Sequence, residues 1–202
     1  AIIPPKVNAY ILPLLLGLVF FIAPVFIKLV LPKFIPGILA IQILLIDMFF
    51  RSCSPQAVHF LVAIKEYKKI IVATVICIIL SIIGNYILIK KGFGIYGVAW
   101  ATSIASLIYF LILQIIALCY FMKFKAIIMF LIEIITPFLY AVLVVLSIEN
   151  LFRLSNIYAN AIVKCFVLCI FSIPLLIYIN KRTQITNTMV NVIKDAILRK
   201  RV

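Results

Sequence analysis

The chain has 202 residues, 67% of them hydrophobic, with a mean hydropathy of +1.35. Charged residues make up 12%, too few to shield that much apolar surface, since soluble domains sit nearer half apolar. The bulk of the chain therefore belongs in a bilayer, which excludes a soluble enzyme, a nucleic-acid-binding domain and a disordered tail. The formal net charge of +14 is read as Lys and Arg in loops beside a membrane.

The chain opens at Ala1 with no charged region leading into a short apolar stretch, so no signal peptide is expected. A fragment or processed chain is the expectation instead. Six apolar runs then follow, each of the roughly 20 helical residues that a bilayer core requires. They cover Val7 to Val30, Pro36 to Ile64, Ile70 to Ile89, Ile95 to Met122, Ala126 to Ile148 and Ala159 to Ile179. Leu31-Pro32-Lys33 marks the first break and Lys90-Lys91-Gly92-Phe93-Gly94 the third. The second run holds Arg51 and Pro55, and reads either as one tilted, kinked helix or as a span with a short extension.

Lys and Arg residues set the orientation. Twelve fall on the side of the amino terminus and six on the other, with Arg51 inside a span. This bias places both termini in the cytoplasm of a multi-pass protein of the cell membrane. The last segment, 181–202, is polar and basic, and Ile185, Met189, Ile193 and Ile197 recur every four residues. It reads either as an amphipathic helix on anionic lipids of the inner leaflet or as a solvated basic tail.

Charges inside apolar runs are costly and mark functional candidates. Asp47 and Arg51 stand four apart and share a helix face. They read either as a self-neutralised pair pinning helices or as a wall of an aqueous cavity presenting positive charge to an anionic substrate. Glu133 is a candidate for ion coupling in the fifth run, and His59, the one histidine, is better explained by packing than by a proton relay. Thr74, Ser81 and Asn85 line one face of the third run. That stripe suits helix packing more than a wet cavity.

At the fourth run, Gly97 and Ala101 form a small-xxx-small pair, as do Ala99 and Ser103. The five cysteines lie in or beside apolar runs and read as free thiols. Cys165 and Cys169 share a face, but two thiols alone make a poor metal site. No phosphate-binding Gly loop, metalloprotease motif or nucleophile elbow occurs, so no cofactor or catalytic residue is expected.

Two stretches resemble a known family. Pro24 to Leu44 is similar to a span, short outer loop and following span of polysaccharide flippases, the O-antigen, capsule and exopolysaccharide exporters of the multidrug/oligosaccharidyl-lipid/polysaccharide superfamily. Asn85 to Ile89 followed by Gly92 to Ala105 is similar to that family's Asn-containing span, Gly-rich turn and small-residue helix, with Gly92, Gly94, Gly97 and Ala101 as its turn and packing motif. The resemblance covers residues 10 to 125, and the last two spans match in hydropathy alone. It implies an all-α integral membrane fold of about six helices, the carboxy-terminal part of a MATE-like two-lobe transporter. Residues 1–125 would be the last four helices of the second lobe, 126–180 an appended helix pair and 181–202 the cytoplasmic tail.

The implied activity is transfer of undecaprenyl-pyrophosphate-linked oligosaccharide across the membrane by alternating access. The lipid-linked oligosaccharide is then the substrate, and a missing amino-terminal lobe is a partner. Arg51 is the first substrate-path candidate, with Asp47, Asn85 and Glu133 beside it. The rival readings are a multidrug or cation antiporter, which would need Asp47 or Glu133 as its cation ligand, a transferase or polymerase acting on the lipid carrier, and a membrane scaffold.

Overall fold

The computed structural model describes residues 3–151 and 160–171, and all of it is helix and turn, with no strand among the described residues. Helix α1 spans Ile3–Val30 and leads through a 3-10 turn, Pro32–Gly37, into α2, Ile38–Cys53. Then come α3 (Pro55–Ala63), α4 (Tyr67–Lys90), α5 (Gly94–Leu118) and α6 (Phe124–Leu151). A shorter apolar helix, α7, covers Asn160–Phe171. Five stretches are long and apolar enough to cross a membrane: α1, the turn with α2 and α3, α4, α5 and α6. The architecture is thus that of an all-α, multi-pass membrane protein. The sixth expected run is described only over α7; its remaining residues and the basic tail lie outside the described residues.

The helices pack in the order α6, α1, α2, α5, α4, each chiefly against its neighbours in that row. Small residues let α4 and α5 approach closely. A Cβ added at Gly84 would stand 3.1 Å from the Ala101 Cβ, and one at Gly97 would stand 2.8 Å from the Leu88 Cβ. In lipid such contact matters because dispersion and hydrogen bonding, not exclusion from water, hold helices together. Helix α5 is central and buried along half its span, whereas α4 buries only Ala73. Toward the ends of α2 and α5 lies an aromatic core, where Phe49 stacks on Phe138 at 4.2 Å and Phe50 meets Phe110 at 5.6 Å.

Two turns have the same hydrogen-bond pattern. After α4, Gly92 adopts φ 85°, its N–H bonds to Ile89 O, and the Phe93 N–H bonds to Leu88 O. After α3, Lys65 adopts φ 62°, its N–H bonds to Val62 O, and the Glu66 N–H bonds to Leu61 O. Both are Schellman caps, with glycine in the left-handed position of one and lysine in that of the other.

The second run is resolved by the structure into two helices. Pro55 lacks an N–H and takes the first position of α3, where none is needed. Ser54 sits at the break and donates its hydroxyl to Phe50 O at 2.8 Å. Ser54 keeps helical dihedrals, so Pro32–Ala63 forms one apolar stretch interrupted at Ser54-Pro55, in line with the kinked-helix alternative.

Candidate functional site

The polar groups at depth gather along the seam between α2 and α5, which run parallel. Asp47 stands about 14 Å along α2 from its start near Gly37, close to the middle of a ~30 Å hydrocarbon core. It is only 8% exposed. The Arg51 Nε donates to its Oδ1 at 2.9 Å, one helical turn away. Ser106 of α5 donates its hydroxyl to the same oxygen. The carboxylate is thus paired and hydrogen-bonded, the condition under which a buried charge is tolerated.

Arg51 lies differently from its partner. Its side chain is 64% exposed, so the guanidinium stands on the outer flank of the bundle. Asp47 engages Nε, and the terminal nitrogens carry the remaining N–H donors. The pair therefore presents a cation outward on a carboxylate anchored inward.

The same stripe of α5 serves α2 above and below the pair. Ser103 donates to Ile43 O at 3.2 Å, and Gln114 donates to Cys53 O at 3.0 Å. The latter bond matters because Cys53 is the last residue of α2, where carbonyls lose their intrahelical partners. Gln114 thereby secures the break between α2 and α3. Gln42 of α2 reaches Phe20 O of α1 with a long contact of 3.5 Å. That carbonyl lies four residues before Pro24, which has no N–H to offer it.

The other sequence candidates occupy other elements. Asn85 lies on α4, with its Oδ1 buried and without a hydrogen-bond partner among the described residues. Glu133 is half-buried on α6, and His59 is exposed on α3. Thr74 bonds its own helix, at Ile70 O. Gly92 and Gly94 have φ of 85° and 52°, each in the left-handed region. All five cysteines are free.

Sequence reasoning missed the Ser106 and Gln114 contacts. Their signal was present: Ser103, Ser106 and Gln114 fall at offsets of three and eleven, one side of a helix. It also missed a second ion pair with one buried partner, Lys164 to the exposed Glu149 at 2.7 Å, which joins α7 to α6. Its signal was a lysine inside an apolar run, with an acid before the preceding loop.

Comparison with protein-family models, with characterised proteins and with solved structures gives no match.

Proposed function

We propose that this chain is the carboxy-terminal part of a flippase for lipid-linked oligosaccharides, with α1 to α5 supplying the last four spans of its second lobe. In this reading both termini lie in the cytoplasm, and Arg51 faces a second lobe across a central path. The pyrophosphate that joins lipid to sugar needs a cation on that path. The observation that carries the reading is the division of labour between Asp47 and Arg51. A buried carboxylate fixes Nε, while the guanidinium remains exposed on the flank. Such a fixed fork suits phosphate better than a flexible ammonium does.

The antiporter reading asks Asp47 to bind a cation. Its Oδ1 already accepts bonds from Arg51 and Ser106, which favours the flippase reading. A transferase acting on the lipid carrier would require acids or histidine gathered at a membrane face. The seam instead offers one carboxylate, tied to an arginine.

The test is transfer in the native host membrane. Arg51→Ala should trap lipid-linked repeat units on the inner leaflet at normal protein level and insertion, and Arg51→Lys should restore only part of the transfer. Unchanged transfer in Arg51→Ala would remove Arg51 from the path and favour a scaffold.

A further inference from the structure

A second feature of the bundle lies away from Arg51. An apolar groove of about 380 Å³ runs between α1, α2 and α6, bordered by Pro13, Leu16, Ile46, Phe138, Ala141 and Val142 among others. That volume falls in the range of small-molecule sites, roughly 300–1,000 Å³. Among the described residues, Gln42 and the indole of Trp100 are the side chains with polar groups along its border.

The groove adjoins a smaller polar cavity of about 160 Å³, with Phe20 and Gln42 bordering both. Around this cavity stand Lys28, Lys164, Glu149 and Asn160. These residues come from the end of α1, the end of α6 and the start of α7, so they share one end of the bundle. Lys164 is only 4% exposed and is paired with Glu149. Two ammonium groups against one carboxylate leave one positive charge over. The Asn160 Oδ1 is buried without a hydrogen-bond partner among the described residues; as an acceptor it suits a headgroup hydroxyl rather than the phosphate itself.

The dimensions match an amphiphile. Pro13 to Phe20 rises about 10 Å along α1, and Phe20 to Lys28 about 12 Å more, together more than half of a ~30 Å hydrocarbon core. An apolar slot at membrane depth thus lies beside a cationic polar cavity nearer a membrane face.

We propose that this site holds one anionic phospholipid, with a hydrocarbon chain in the α1/α2/α6 groove and the phosphate between Lys28 and Lys164. Charge complementarity selects an anionic headgroup, and the apolar groove lying against the cavity at Phe20 and Gln42 selects a lipid over free phosphate. The site is independent of the transport reading, since neither Asp47 nor Arg51 borders it.

The test uses the full chain purified in nonionic detergent, with bound lipid counted by native mass spectrometry. Dioleoylphosphatidylglycerol should be retained at one per chain where dioleoylphosphatidylcholine is lost. Lys28→Gln, at an exposed position, should weaken retention about fivefold, the worth of one lysine beside an anionic headgroup. Ala141→Phe should fill the groove and abolish retention. Equal retention of the two lipids would overturn the proposal. So would phosphatidylglycerol binding unchanged by Lys28→Gln, the outcome expected if the basic tail alone captures the lipid. Inorganic phosphate that displaces the lipid at equal concentration would reassign the cavity to a free anion. If Ala141→Phe fails to fold, Lys28→Gln decides alone.

Discussion

Ser106 and Asp47 are 59 residues apart, yet the Ser106 hydroxyl donates to the carboxylate that also holds Arg51. A carboxylate at this depth is tolerable only with such partners. Ser106→Ala should therefore lower stability by about 1–2 kcal/mol, toward the upper end of bonds between membrane helices because the acceptor is charged. Reversible unfolding in mixed micelles measures this. A change within error would mean that Arg51 alone satisfies Asp47.

The two Schellman caps give opposite expectations. Gly92→Ala places a side chain at φ 85° and should destabilise by roughly 1–2 kcal/mol. Lys65→Gly relieves a lysine at φ 62° and should stabilise by up to about 1 kcal/mol. Unfolding of both variants in the same micelles tests the pair, and the signs must differ.

Close packing of α4 on α5 predicts a steric effect. A Cβ at Gly97 would lie 2.8 Å from the Leu88 Cβ and 2.9 Å from the Phe93 Cβ, so those side chains must move with their backbone. Gly97→Ala should cost about 1–3 kcal/mol. Gly84→Ala meets Ala101 at the less severe 3.1 Å and should cost less. Equal costs would show that the hairpin opens without resistance.

The loop joining α3 and α4 carries a pH-dependent tie. Tyr120 donates to the Glu66 Oε1 at 2.9 Å, and the Lys69 Nζ stands 3.4 Å from the same oxygen. The Tyr120 hydrogen bond holds the Glu66 carboxyl below its ordinary 4.5, opposed by slight desolvation and helped by the Lys69 charge. A lowered folded-state value means that the tie is fully present above pH 4.5 and is lost as pH falls through the lowered value. The stability difference between the protein and Glu66→Gln should be constant above pH 5 and shrink below about 4.5. A difference that grows on acidification would contradict the tie.

Much of the architecture was legible in the chain. Hydropathy gave six runs, of which the described residues show five as long spans, and Lys90-Lys91-Gly92-Phe93 located the α4–α5 turn. The four-residue spacing of Asp47 and Arg51 brought them to one helix face, where the structure pairs them. Proline also had a local meaning, since Pro55 opens α3. The fate of the carbonyl freed by Pro24 was not legible, because its partner Gln42 comes from another helix.

The sequence by itself determined that apolar helices would form and where they would turn, because length, proline, glycine and i,i+4 spacing act within a few residues. Only the tertiary structure decided which helix faces meet. A bilayer accepts Ile and Leu on every face, so apolar periodicity carries little information about neighbours. Helices α4 and α5 are both strongly apolar, yet α5 became the buried centre and α4 kept only Ala73 covered. Small and polar residues settled that difference through Gly84 on Ala101, Ser106 on Asp47 and Gln114 on Cys53. Each unites positions far apart in the chain, where only folding brings a donor to its acceptor.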